Sequence, residues 1–291
     1  MNHRYGFGMH RAAIRSRGQT SSTPTPPFYA FIIPGSMPAG TSLTRASAGS
    51  YYDDTGLLAS AASDTGCFDH DPSSLAYRGL RLEPACTNIL AWSGTPGNAA
   101  WTPGSARLTR TSSDNIDPSG GTNAALFTGN GVSAPRTISI ATAATLTSGT
   151  TYTLCVFLKA GTQSLLQLTG NFNAFGNTGY ANFELTGAGG ITSATVPATI
   201  QSLPNGWYRI SIVLTAVANV ASGSVGPTIA MISSPDDGRI PANTLTTSFL
   251  AWGASVTEGS SLSSYIETNA AASTRADAHV QRPVRKLAGH L

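Results

Sequence analysis

The feature that most constrains this chain is alternation of apolar and polar residues at a period of two, with no helical period of comparable length. In TYTLCVFLKA (151–160), Tyr152, Leu154, Val156 and Leu158 fall on one side. Thr153, Cys155, Phe157 and Lys159 fall on the other. Side chains of a strand point alternately to its two faces, so such runs read as strands. TISIATAATL (137–146), SLLQLTG (164–170), YANFELTG (180–187), PTIAMIS (227–233) and TTSFLAWGASV (246–256) repeat the pattern between Gly, Asn, Pro and Asp boundaries. Parallel sheets need crossover helices, and none is legible. The expected architecture is therefore all-β: an antiparallel β-sandwich or jelly roll whose core lies between two sheets.

NGWYRISIVLTAV (205–217) sharpens the expectation. An Asn-Gly turn opens a strand whose Tyr208, Ile210, Ile212 and Leu214 share a core face. Trp207 and Arg209 sit on the opposite, mixed face, where Trp207 is either an aromatic cap on the sandwich or a platform for a ligand. Composition agrees with a turn-rich surface protein. Only 11% of residues are charged, against about 25% in an ordinary globular chain.

The charges are unevenly placed. Residues 1–52 carry Arg4, Arg11, Arg15, Arg17 and Arg45 and no acid, the last residues are basic again, and the body between them is net acidic. We divide the chain into a basic anchoring arm with a Pro/Ser/Thr linker (1–30), a docking segment of short strands and turns (31–80), the sandwich (81–275) and a basic tail (276–291). Basic arms suit nucleic acid or acidic protein surfaces. Neither arm has a recognisable nucleic-acid-binding fold, so a protein partner is favoured over nucleic acid.

Cys67, Cys86 and Cys155 are odd in number, lack a CxxC spacing and read as small buried hydrophobes. The five histidines have no zinc-ligand spacing. There is no apolar signal-peptide core near the start and no run of 18 apolar residues, so neither classical export nor membrane insertion is expected. A surface-type composition without an export signal points to release by host lysis.

Eight motifs in order carry a resemblance. They are SLTRASAGSYYDDTGLL (42–58), CFDHDPSSLAYRGLRLEPACTNIL (67–90), Trp101, YTLCVFLKA (152–160), FELTG (183–187), NGWYRISI (205–212), AWGASVTEGSSLSSYIET (251–268) and STRAD (273–277). The series resembles a group of tailed-bacteriophage and prophage virion proteins: head spikes, head fibres and tail fibres. Ser255, Glu267 and Cys155 replace the Gln, Pro and Ser usual in that group. The resemblance covers about residues 42–277. It implies a jelly roll like that of carbohydrate-binding modules and concanavalin-type lectins, located on the virion head or tail surface. Its implied partners are other virion proteins, reached through Arg4, Arg11, Arg15 and Arg17 of the arm, and a host-surface glycan. It also implies a homo-oligomer, with a trimer favoured. It casts Gly-Trp-Tyr-Arg as structural, with Arg209 tied to a neighbouring carboxylate. The alternative is a lectin or carbohydrate-binding module outside any virion.

Little in the sequence suggests catalysis. Glycoside hydrolysis needs two carboxylates astride a bond, and no pair stands out. There is no G-x-S-x-G elbow and no phosphate-binding loop. Asp69-His70-Asp71 before Pro72, Asp53-Asp54 and Asp236-Asp237-Gly238 read as turns. No cofactor is expected; a structural calcium, if held, would involve Glu83 and Glu258. Sugars are bound by flat rings plus polar groups. The candidate rings are Phe172, Phe175 and Tyr180 in the loop GNFNAFGNTGY, with Trp92, Trp101 and Trp252.

Overall fold

The computed structural model describes residues 28–30, 35–37, 39–104 and 107–281. Two six-stranded antiparallel sheets form a jelly-roll sandwich. The first runs, edge to edge, Ala198–Ser202, Trp207–Thr215, Thr151–Ala160, Ser248–Glu258, Ala124–Gly129 and Leu108–Asn115. The second runs Gly190–Ala194, Tyr180–Glu184, Leu165–Gly170, Val225–Met231, Thr137–Ala141 and Trp101–Pro103. The arm residues Arg4, Arg11, Arg15 and Arg17 lie outside the described residues.

The alternation assigns the core as expected. Tyr152, Leu154, Val156 and Leu158 meet Tyr208, Ile210, Ile212 and Leu214 on the inner face of the first sheet. Ile138, Ile140, Leu166, Leu168, Phe183 and Ile229 face them from the second. One strand breaks phase. In Ser248–Glu258, Phe249 and Ala251 point inward, and so do Ala254 and Val256. The register shifts opposite Val156 and Phe157, and the extra residue is Gly253, at φ +51°. A bulge with glycine in the left-handed region absorbs that residue. With Trp252 on the outer face, it returns Ala254 and Val256 to the core side after Phe249 and Ala251.

The outer face of the first sheet is covered rather than open, as the unbroken burial of residues 152–158 shows. The hairpin of Gly49–Tyr52 and Leu58–Ala61 brings Tyr52 and Leu58 against Phe157, Leu203, Trp207, Trp252 and Tyr265. Trp207 is 1% exposed and donates from Nε1 to the Ile116 carbonyl at 3.2 Å, so it is a cap, not a platform. Further pairings complete the layer. Phe28–Ala30 and Phe68–His70 flank Tyr77–Leu82, Ser42–Thr44 pairs with His279–Gln281, and Cys86–Asn88 pairs with Ser273–Arg275. A boundary between residues 80 and 81 therefore falls inside the strand Tyr77–Leu82, and the strands of residues 42–80 pack on their own chain. Residues 279–281, assigned to the tail, are a strand of the same layer.

The second sheet is partly covered too. Gln167 and Asn182, both fully buried, project from its outer face toward the loop after Val225–Met231. Gln167 Nε2 donates to the Gly238 carbonyl (2.9 Å), and its Oε1 accepts from the Ile240 N–H (2.7 Å). Asn182 Nδ2 donates to the carbonyls of Pro235 (3.0 Å) and Asp237 (2.7 Å). Planar amides that could serve a sugar are thus spent on the protein's own backbone.

Candidate functional site

The structure separates the six candidate rings. Trp101 is fully buried, its Nε1 donating to the Trp92 carbonyl at 2.9 Å. Phe175 is 6% exposed and meets Tyr152 edge-on. Neither has a face to offer a sugar, which removes both from the set. Trp92 is half-buried in the left-handed region at φ 51°, its N–H held by the Asn269 carbonyl at 2.6 Å. Tyr180 is half-buried. Phe172 is 59% exposed at the start of a single helical turn, Phe172–Phe175. The Asn171 side chain caps that turn, accepting from the N–H groups of Asn173 and Ala174 and donating to the Val225 carbonyl. The loop therefore presents one open ring, and its most obvious polar partner is already committed.

The calcium candidates do not form a site. Glu83 is buried between Arg81 (3.3 Å) and Arg275 (3.2 Å) and accepts from the Ser264 N–H at 2.9 Å. Burial opposes ionisation of Glu83, but the two guanidiniums and the Ser264 hydrogen bonds prevail, and its pKa lies below the ordinary glutamate value. Glu258 is exposed at the end of its strand. Among the described residues, no three His, Cys, Asp or Glu side chains are grouped to hold a metal.

The Asp-His-Asp motif divides in two. Asp71 is a turn residue, accepting from the Ser73 and Ser74 N–H groups and pairing with Arg78. Asp69 is fully buried instead. It accepts from the Tyr52 N–H at 2.8 Å and faces Arg81 at 3.4 Å. Asp69, Arg81, Glu83 and Arg275 thus form one buried chain of alternating charge. Arg275 continues it to the Ser263 and Ser264 hydroxyls and the Pro84 carbonyl.

Two arginines use sulfur as an acceptor. Arg209 has no carboxylate partner in a salt bridge among the described residues. Its Nε donates to Cys155 Sγ (3.2 Å), its Nη2 to the Ser263 carbonyl (2.6 Å), and its guanidinium lies over the Phe157 ring. Arg45 likewise donates to Cys67 Sγ at 3.2 Å and to three backbone carbonyls. Cys67 and Cys155 are buried, as expected, but they act as hydrogen-bond acceptors rather than as inert filler.

Covering one face of a sheet with the hairpin and a strap of residues 259–281 leaves a gap between them. It is a cleft of about 510 Å³ beside the outer face of the first sheet. Trp252 and Tyr265, their ring centroids 5.0 Å apart, border it but are buried in the core, 4% and 5% exposed, and present no open ring face. The hairpin contributes Ser50 and Ser60, the turn after Asp117 contributes Ser119, and the strap contributes Glu267, Ser273 and Arg275. Among the described residues, the Ser60 and Ser273 hydroxyls have no hydrogen-bond partner, and neither do two buried donors beside it, Trp252 Nε1 and Arg275 Nε. Burial pushes the Tyr265 phenol above its ordinary range; its bond to Ser93 opposes the rise, and the nearby Glu267 carboxylate adds to it. The sequence flagged Trp252 but not the cleft, because its walls come from residues more than 200 positions apart.

No protein-family model and no curated protein matches the sequence. Among solved structures, the chain is similar to the CBM22-1–GH10 modules of the Clostridium thermocellum endo-1,4-β-D-xylanase 10B, determined in complex with xylohexaose. The identity is 15% and the TM-score 0.35, over 61% of this chain and 29% of that one. It is also similar to the CBM22-1 xylan-binding domain of Paenibacillus barcinonensis Xyn10C. There the identity is 12% and the TM-score 0.32, over 59% of this chain and 92% of that domain.

Proposed function

We propose that this chain is a non-catalytic structural component of a tailed-bacteriophage particle, a spike or fibre. On this reading it displays a lectin-like β-sandwich that attaches the particle to a host-surface glycan. The observation that carries the reading is where the motif residues lie. Three members of the motif series that resembles the phage group meet there: 67–90 supplies Asp69, Arg81, Glu83 and Asn88, 251–268 supplies Tyr265, and 273–277 supplies Arg275. Asp69, Arg81, Glu83 and Arg275 pair with one another within the covering layer, and Asn88 and Tyr265 fasten that layer to the first sheet. Chance matches scattered over the chain would have no reason to meet. Asn88 illustrates the role: its Nδ2 donates to the Ala254 and Ile266 carbonyls, and its Oδ1 accepts from the Val256 N–H.

The basic arm carrying Arg4, Arg11, Arg15 and Arg17 is the part of the chain suited to docking on other virion proteins, and a symmetric trimer suits a spike or fibre. The test is particle association. Phage particles from a lysate of cells encoding the chain, banded by density and probed with an antibody to it, carry the protein in stoichiometric amount. An intact phage preparation free of the protein, with the protein only in the soluble lysate fraction, contradicts the virion assignment and leaves a free lectin.

A further inference from the structure

We propose that the outer face of the second sheet binds an anionic group of a sugar, with the Arg239 guanidinium as its charge partner and the Tyr180 phenol beside it. This inference rests on the glycan-attachment reading above and names the class of glycan. The site follows from a row of residues across the sheet. Tyr180, Thr169, Thr228 and Ser139 stand opposite one another on adjacent strands. Their chain neighbours Ala181, Leu168, Ile229 and Ile138 face the core, so the row faces out. The loop that clasps Gln167 and Asn182 covers the next row, and from it Arg239 reaches back over Thr169.

The guanidinium is held but not neutralised. Its Nε donates to Thr169 Oγ1 at 2.9 Å and its Nη2 to the Gly170 carbonyl at 3.0 Å, both uncharged acceptors. That leaves Nη1 without a partner among the described residues. Arg78, Arg81 and Arg275 each face a carboxylate, whereas Arg239 faces none among the described residues. Asp237, two residues away, is turned to the Ser233 and Ser234 N–H groups at 2.7 and 2.9 Å. Burial lowers the Arg239 pKa and no neighbouring charge offsets it, yet an arginine stays cationic. A cation already oriented and partly stripped of water gains most from an anion, through charge-assisted hydrogen bonds. Tyr180 is half-buried, and its phenol has no hydrogen-bond partner among the described residues. Standing opposite Thr169, it can donate to a second oxygen of the same ligand.

The test is an NMR chemical-shift titration of the isotope-labelled full chain. The probes are methyl glucuronide and sialyllactose, which carry a carboxylate, and glucose phosphate. Methyl glucoside, acetate and inorganic phosphate are the controls. At least one anionic sugar is expected to bind with a dissociation constant on the order of 1 mM, more weakly as salt is raised, and methyl glucoside is not. The carboxylate and phosphate probes tell which anionic group is taken. Arg239→Gln weakens the binding by about tenfold, and Tyr180→Phe weakens it by a smaller factor. Lys159→Gln, which removes a cation from the other sheet, leaves it unchanged. Melting temperatures verify that the variants fold. Should Arg239→Gln not fold, Arg239→Lys keeps the charge without the planar fork and is expected to weaken binding in its place. Absence of binding by every anionic sugar overturns the proposal. So does equal binding of methyl glucoside, equal binding of acetate or phosphate alone, or binding that survives the Arg239 variants. The two readings fail separately. Arg239→Gln protein that still blocks phage adsorption keeps the attachment role and refutes this site. Arg239-dependent binding of an anionic sugar without any effect of the protein on adsorption keeps the site and refutes the attachment role.

Discussion

Glu83 holds together two segments that are far apart in the chain, between the guanidiniums of Arg81 and Arg275. Removing one partner of a buried ion pair leaves an uncompensated charge, at a cost of about 3–5 kcal/mol. Glu83→Gln is expected to lower stability at pH 7 by an amount of that order, read from urea unfolding. The pH dependence has a definite sign. The folded pKa of Glu83 lies below the ordinary value of 4.5, so its contribution is complete above that value and fades as pH falls through the folded one. Wild-type stability should therefore drop more steeply below about pH 4.5 than that of Glu83→Gln. Parallel curves would show that the carboxylate is not engaged in solution. None of this was legible in the sequence, where Glu83 looked like one of two loose acids. Alternation says which face of a strand is apolar, but it does not say which distant cations will meet a carboxylate.

At the scale of elements, alternation found the sandwich strands and their inner faces. It missed that the outer face of the first sheet is also buried, because Thr153, Cys155, Ser211 and Arg209 look like a solvent face. They are instead satisfied locally: Arg209 by sulfur and a carbonyl, Ser211 by Thr199, and Thr153 by the Gly259 carbonyl. The Gly in FLAWGASV was the visible trace of the bulge. Gly253→Ala tests it. A Cβ there would sit 2.9 Å from a Phe157 ring carbon, on a backbone at φ +51°. The expected loss is about 1–3 kcal/mol, with weaker hydrogen-exchange protection of Ser248–Glu258 and its neighbours. A neutral result would mean that the strand carries no bulge. Gln167 and Asn182 tell the same story on the second sheet: amides that read as an open polar face in fact clasp a loop.

At the scale of the molecule, the sandwich is covered by the segments that flank it in the sequence. The 42–83 segment and the 259–281 strap are not accessories, since Tyr52, Leu58 and Tyr265 share a hydrophobic cluster with Trp207, Trp252 and Phe157. An 81–275 fragment lacks the hairpin and uncovers that cluster. It is expected to bind a hydrophobic dye, melt at lower temperature than the full chain and associate. A fragment with the full chain's melting temperature and no dye binding would contradict a shared core. The same reasoning calls for the full chain in a functional assay. The most direct measurement is adsorption competition with the full chain, added to host cells before the phage whose particles carry it. Attachment through this chain predicts that the protein binds the cells and slows adsorption in proportion to the sites it occupies. Cells left unlabelled, with phage adsorbing at the uncompeted rate over a saturating concentration series, would contradict it.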